Sequence, residues 1–462
     1  VDLGTWIEPQ QVFARFFGES PTSFWLDSGI NSTGGFSYMG DAEANATIES
    51  CGPRDDHDLF ERFEASHDVD TTDPDLDGLG FRLGWVGWFS YEFGARLMGA
   101  KHAPVDSPDA AFFFVHRALV FDHAQKTVSA LLLVEETKGV GGGIHGHSEW
   151  FARVRRDLLA LLRDAEGMLT VSSRGAEETA RLPTTWRHSD SEYLALIDEC
   201  QRVIARGEAY QLCLTNTVRI GYDSTGAAHT PMATYLRLRE INPSHHGGYV
   251  RIGGTALLSA SPERFLRIFP DRTVETSPIK GTRARGKTRV DDERLRRELE
   301  ESPKEQAENL MIVDLTRNDL ARVCVVGSVV VTRLLALESY SHVHQLVSTV
   351  RGVLQPGVSF AEVLASTFPA GSMTGAPKCS AINTLFNLEG GPRGIYSGVF
   401  GYVGIDGSVD LAMVIRSIVI DAAGASIGTG GGITALSHPH EELEEIHLKA
   451  KALLRAVTTV NA

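Results

Sequence analysis

From Ala209 onward the chain changes period repeatedly and at irregular intervals, and this irregularity is its strongest constraint on fold. Strand-like runs come in succession: AYQLCLTNTVRI, then GTALLSASPERFLRIF, then the PIKGT segment. A charged helical stretch from Val290 to about Thr316 follows, then the valine-rich VCVVGSVVV of Val323 to Val331, which reads as a strand, and LESYSHVHQLVSTV. A helix is expected near Ser359 to Thr367 and another after GSMTGAPK, with Pro377 suited to its first turn. VFGYVGI and SVDLAMVIRSIVI are joined by Asp406-Gly407, a two-residue hairpin signal, and GTGGGI leads to a last helix from about His440 to Val457. A doubly wound parallel sheet needs regular alternation of strand and helix, which this order lacks, and no internal repeat is detectable. The expectation is an α+β fold, a large two-sheet β-sandwich with flanking helices.

Residues 1 to roughly 135 alternate short apolar runs with Gly, Asp and Pro clusters, as in SFWLDSG (Ser23 to Gly29) and GWVGWFSYEFG (Gly84 to Gly94), and predict short strands. The glycine-rich Gly139 to His147 predicts a loop. A helix from Ser148 to about Ala165 presents Trp150, Phe151, Val154, Leu158, Leu161 and Leu162 as a core-packing stripe. Ser189 and Glu192 form a capping box for a helix that stops at Gly207. Residues 1–187 are therefore expected to be a β-rich N-terminal region and 188–462 the region of candidate chemistry, the two packed as one α+β unit.

A chain of 462 residues can bury a large core, and its formal net charge of −15 argues against a nucleic-acid footprint, which needs clustered Lys and Arg. Five scattered cysteines show neither CxxC nor metal-ligand spacing, so a reducing, cytoplasmic setting is expected. No apolar run approaches the roughly 18 residues of a membrane span, and no basic-then-apolar leader pattern opens the chain. Because it begins at Val1, the expectation is a processed chain or one piece of a longer fusion.

Lys280 has a stiff approach in Pro278-Ile279 and a permissive backbone in Gly281, with Arg283 and Arg285 beyond; it is either a solvating surface charge or a functional amine. Glu305 and Glu308 lie three apart on a predicted helix, and Glu442 and Glu445 repeat the arrangement on the last one. Such pairs are common on solvated helices, yet two facing pairs could offer oxygen ligands to Mg²⁺, with the glycine run Gly428 to Gly432 allowing close approach. Arg416 in an apolar strand needs an anionic partner, either a structural carboxylate or a substrate carboxylate. GSMTGAPK lacks nucleotide-loop spacing, so ATP is not expected; its amides could hold a carboxylate, while Ser372 and Thr374 read as local caps. His342 and His344 would share a strand face, with structural histidines the commoner outcome.

Taken in order, SPERF (Ser261 to Phe265), PIKGT, KEQAEN, VDLTRNDL, GSMTGAPK, the tyrosine of IYSGVFGY, VIRS, GTGGGI and the closing E-x-x-E resemble the chorismate-utilising enzymes over roughly residues 190 to 455. The resemblance implies a two-sheet α+β sandwich that binds chorismate and Mg²⁺. Family members that make anthranilate typically carry alanine where Lys280 stands, and isochorismate- and salicylate-forming members use a water-activating lysine where this chain has Gln211. Both positions imply amination at C4. Lys280 would then attack C2 and Glu263 would protonate the departing C4 hydroxyl. The amine must be neutral to attack, which desolvation, Mg²⁺ and Arg283 or Arg285 would favour.

The same resemblance implies that Glu308 and Glu445 bind Mg²⁺, with Glu305 and Glu442 reaching it directly or through water. Arg416 and Tyr396 would hold a substrate carboxylate, with Thr282, Gly281, Gly432, Gln211 and Lys378 completing the substrate set. Gln345 occupies the position of a family histidine linked to proton removal at C2, with His344 one residue earlier. SFWLDSG lies where related enzymes bind tryptophan, though it also reads as a core strand. No cysteine-centred amidotransferase motif is present, so ammonia is expected from a glutamine amidotransferase partner subunit, a fused domain or ammonium salts. The alternatives are an anthranilate-forming enzyme and a non-catalytic chorismate-binding subunit.

Overall fold

A computed structural model describes residues 3–461 apart from 5, 43–45, 68–75, 77, 106, 135–142, 168–176, 180–181, 222–229 and 341–342. Among these, two large sheets dominate, of 11 and 10 strands, with antiparallel pairing throughout. The first runs from Gly375–Ala376 through Gln211–Ile220, Gly424–Ile433, Ser417–Asp421, Thr255–Ser261 and His246–Ile252 to Thr22–Asp27 and its neighbours. The second runs from Ile279–Ala284 through Val343–Val353, Thr273–Thr276, Arg264–Ile268, Val409–Met413 and Val399–Gly404 to Gly84–Phe89, Ala110–Val115 and Thr47–Ser50. Strands from before and after residue 187 thus share both sheets. The expected α+β sandwich is the fold.

Phe24, Phe81, Trp88, Phe113, Leu257, Phe400 and Val414 form a core to which both sheets contribute. Each such aromatic, fully buried, contributes roughly 1.5–3 kcal/mol. Helices cover the outer faces. Leu158 and the partly buried Trp150, Phe151, Val154, Leu161 and Leu162 pack into the core of the first sheet, as their spacing requires. The Asp190–Ala205 helix starts with the expected reciprocal Ser189/Glu192 capping box, and the Asp406-Gly407 turn joins Val399–Gly404 to Val409–Met413 with Gly407 at φ +76.

Several local expectations change. The 290–316 stretch is two helices, Arg289–Glu300 and Pro303–Ala321, because Ser302 caps a new start and Pro303 cannot donate to the preceding turn. VCVVGSVVV is mostly a turn: Val326 is 96 % exposed, Gly327 has φ +83, and the strand begins only at Val330. Of the expected Gly139–His147 loop, 139–142 lie outside the described residues and the rest belongs to the Gly143–Gly167 helix. Pro377 is the N-cap of Lys378–Glu389, one position before the first turn.

Two runs that read as continuous strands each divide between the sheets. GTALLSASPERFLRIF leaves the first sheet after Ser261 and enters the second at Arg264; SVDLAMVIRSIVI leaves the second after Met413 and enters the first at Ser417. The crossings lie side by side, since Met413 N donates to Glu263 O at 3.0 Å and Ala260 N to Arg416 O at 3.1 Å. Apolar composition hides such a switch, because the strands on either side of each crossing are mostly buried on both faces.

Candidate active site

The two crossings set Glu263 and Arg416 in the lining of one cleft of about 430 Å³. The Gly424–Ile433 strand forms part of the lining, and its glycines are needed there. A Cβ at Gly428 would enter the Tyr396 ring, one at Gly432 would collide with Gln211 Nε2, and one at Gly431 would stand 2.9 Å from Glu442 Oε2. On the other side, the pairing of Ile279–Ala284 with Val343–Val353 takes one extra residue between Ile279↔Val347 and Thr282↔Gln345. Lys280 and Gly281 form this β-bulge, a feature that re-aims side chains. Gly281 has φ +90, and a Cβ there would lie 2.8 Å from Leu299 and 3.1 Å from Glu305, so no larger residue fits without strain.

The helices Pro303–Ala321 and Pro439–Thr458 bring in the four glutamates. Spacing of three places Glu305 and Glu308 on one helical face and Glu442 and Glu445 on another, and all four line the cleft with Lys280, Thr282, Arg283, Gln345, Tyr396 and Arg416. Cations hold three of them: Arg283 contacts Glu305 at 3.3 Å, Lys304 contacts Glu442 at 3.9 Å and Lys449 contacts Glu445 at 2.5 Å. Among the described residues Glu308 has neither a side-chain hydrogen bond nor an ion pair. Burial raises its pKa, opposed by Lys280 and Lys304 and reinforced by Glu305 and Glu442. Burial likewise raises Glu442, whereas at Glu445 the burial effect is outweighed by Lys449 and the carboxyl lies below its usual range.

Among the described residues no three acidic, histidine or cysteine groups are gathered closely enough to hold an ion. The chemistry of the donors still fits one: four carboxylates, one unpartnered, form an all-oxygen set suited to a hard cation such as Mg²⁺ rather than a soft metal.

Glu263 is 7 % exposed, and burial pushes its carboxyl up to about 7, against the opposing Lys280 charge and the Ser372 hydrogen bond. Ser372 Oγ donates to Glu263 Oε1 at 3.1 Å, so this serine is more than the local cap its position implied; Thr374 is such a cap, donating to Ala370 O at 3.1 Å. Arg416 stands at a turn with φ +52 rather than within a strand. It is half-buried and has no ion pair among the described residues. Desolvation lowers its pKa, with Tyr396 and Glu445 opposing. An unpaired guanidinium beside a polar cleft is suited to an anionic ligand.

Other expected residues fall elsewhere. Lys378 is buried outside the cleft, donating to Asp319 Oδ2 at 2.7 Å and Thr367 O at 2.9 Å, so its charge is already matched within the protein. Arg285 turns away to Asp292. Gln345 lines the cleft, while His344 packs behind it, bonded to Ser339 Oγ at 2.7 Å and Asp292 Oδ1 at 3.0 Å. His342 lies outside the described residues. Gln211 is fully buried against Gly432, and neither amide atom has a partner among the described residues.

Sequence reading missed Lys304, Lys449 and the Glu389–Arg393 pair. Arg393 bonds Glu389 at 2.7 and 2.8 Å, and it also donates to the carbonyls of Met373 and Cys213, both cleft residues. Only the i, i+4 spacing of Glu389 and Arg393 hinted at this support. Elsewhere, Leu26, Asp27 and Ser28, at the end of the buried strand Thr22–Asp27, border a separate cavity of about 430 Å³ with His246 and Arg264.

Comparison with known proteins identifies the family and the fold. The sequence profile described as chorismate binding enzyme matches residues 19–455. The chain is 39 % identical over 475 residues to an aminodeoxychorismate synthase from Streptomyces griseus, covering 99 % of this chain and 64 % of that protein, so it spans less than two thirds of that relative. It is 32 % identical over 462 residues to anthranilate synthase component 1 from Methanothermobacter thermautotrophicus, covering 97 % and 92 % of the two chains. The crystal structure of anthranilate synthase component I from Streptococcus pneumoniae TIGR4 superposes with a TM-score of 0.71 at 24 % identity, covering 98 % of this chain and 99 % of that one; this is a likeness of fold.

Proposed function

The chain belongs to the chorismate binding enzyme family, and on that premise we propose that it aminates chorismate at C4 with ammonia, giving 4-amino-4-deoxychorismate. The observation that carries this reading is the meeting of Lys280 and Glu263 in one cleft, the first in a bulge and the second with its carboxyl pushed up to about 7 by burial. The Lys280 Nζ–C2 bond forms as the C4–O bond breaks and the ring double bonds shift, while Glu263 gives its proton to the departing oxygen, which leaves as water. Ammonia then bonds to C4 as the Nζ–C2 bond breaks and the double bonds shift back. The Glu263 carboxylate takes a proton from the new C4 ammonium, so lysine and glutamate both return to their starting states.

Arg416, with Tyr396 beside it, would hold a substrate carboxylate, and Thr282, Gly281, Gly432 and the unpartnered amide of Gln211 would shape the remaining contacts. Glu308 and Glu445, with Glu305 and Glu442, would hold Mg²⁺, which when bound supplies positive charge to a substrate carboxylate. The ammonia would come from a glutamine amidotransferase, as a subunit or an attached domain. We assign the protein to the cytoplasm on its five unpaired cysteines, and its product to p-aminobenzoate and folate formation. Among the described residues no helix is long and apolar enough to cross a membrane. The cavity beside Asp27 and Ser28 is read as an effector pocket for tryptophan, testable by equilibrium dialysis.

The relative named anthranilate synthase supports a second reading, formation of anthranilate. Incubation with chorismate, Mg²⁺ and ammonium separates the two. Aminodeoxychorismate as the product supports the first; anthranilate fluorescence without an added lyase overturns it. Chorismate binding without turnover, even with an amidotransferase supplied, would mark a non-catalytic subunit.

A further inference from the structure

Glu263 and Ser372 are a shared wall. They line the large cleft on one side, and on the other a cavity of about 30 Å³ that also touches Thr276, Thr316, Thr367 and Asp319. That volume holds about two to three water-sized molecules, given the roughly 10–15 Å³ that each requires. Its surface is suited to a small polar guest. Thr276 and Thr316 hydroxyls have no hydrogen-bond partner among the described residues, and Lys378 occupies only Oδ2 of Asp319. Thr316, on the Pro303–Ala321 helix, is half-buried.

The proposed chemistry needs such a space. While Lys280 is bonded to C2, the water released from C4 must leave and ammonia must take its place. Because the amino group ends where the hydroxyl began, both molecules pass on the Glu263 side. We propose that the cavity behind Glu263 is an exchange chamber through which water departs and ammonia arrives at C4. This rests on the amination reading above.

The test is steady-state kinetics of the full chain with chorismate, Mg²⁺ and varied ammonium chloride, on wild type, Thr316→Phe and Ala370→Val, the latter two adding bulk at the cavity lining. Leu310→Phe, exposed on the same helix, is the control for added bulk. The chamber predicts that the filling variants raise KM for ammonium at least fivefold, keep KM for chorismate within twofold and still form the lysine adduct by intact-protein mass spectrometry. Should Thr316→Phe fail to fold, Ala370→Val decides. An unchanged ammonium KM in a folded filling variant overturns the chamber alone. Parallel rises in both KM values also overturn it, since they report a distorted cleft. A wild type that consumes no chorismate with ammonium overturns the amination reading, and the chamber with it.

Discussion

The Ser372 hydroxyl meets the Glu263 carboxyl at 3.1 Å, the one side-chain hydrogen bond that carboxyl makes among the described residues. A single neutral donor does little to offset the burial that lifts Glu263 to about 7. The group needed as acid must carry its proton, so kcat/KM for chorismate is expected to fall as pH rises through about 7, measured by chorismate consumption at saturating ammonia.

The same carboxyl affects stability in a definite direction. Its folded pKa lies above the unfolded value near 4.5, so its stabilising contribution is full below about 4.5 and is lost as pH rises through about 7. Glu263→Gln removes that titration. Relative to wild type, the variant should gain about 3 kcal/mol between pH 4 and pH 8 by urea unfolding, while turnover is lost.

Lys280→Ala should abolish turnover and the covalent adduct while chorismate still binds. Intact-protein mass spectrometry without ammonia checks the adduct, and calorimetry checks binding. A wild type with brisk ammonia-dependent turnover but no detectable adduct would count against the nucleophile.

Among the described residues Arg416 has no ion-paired anion to leave behind when it is removed. Arg416→Gln should therefore weaken chorismate binding 10- to 100-fold, equivalent to about 1.5–3 kcal/mol for a charged hydrogen bond, without lowering the thermal midpoint. Calorimetry and thermal unfolding read the two effects separately.

Lys378→Met should do the reverse. It strands the buried carboxylate of Asp319, a loss of roughly 3–5 kcal/mol in urea unfolding, yet leaves KM for chorismate within twofold. A selective rise in KM would return Lys378 to the substrate site.

Much of this architecture was legible because local signals agreed with the fold. The Ser189 capping box, the Asp406-Gly407 turn, the apolar stripe from Trp150 and the paired glutamates each reflect interactions within a few residues. Lys280 stood out through Gly281, whose backbone makes the bulge. What the sequence concealed depends on long-range packing. Nothing local distinguishes Lys378, paired to Asp319, from a lysine facing ligand, or Ser372 as a partner of Glu263 from a cap. The crossings at Glu263 and Arg416 were hidden by continuous apolar runs. The side of the strand facing the cleft, which separates Gln345 from His344, follows from the bulge register.

Those crossings have a mechanical consequence. Each ties one sheet to the other through covalent backbone, and backbone hydrogen bonds join the two ties, so sliding one sheet over its neighbour would strain both at once. Glu263 and Arg416 therefore move as a single rigid reference frame. The four glutamates ride on two helices outside that frame, so a change in cleft width is a motion of carboxylates toward or away from a fixed acid and a fixed guanidinium.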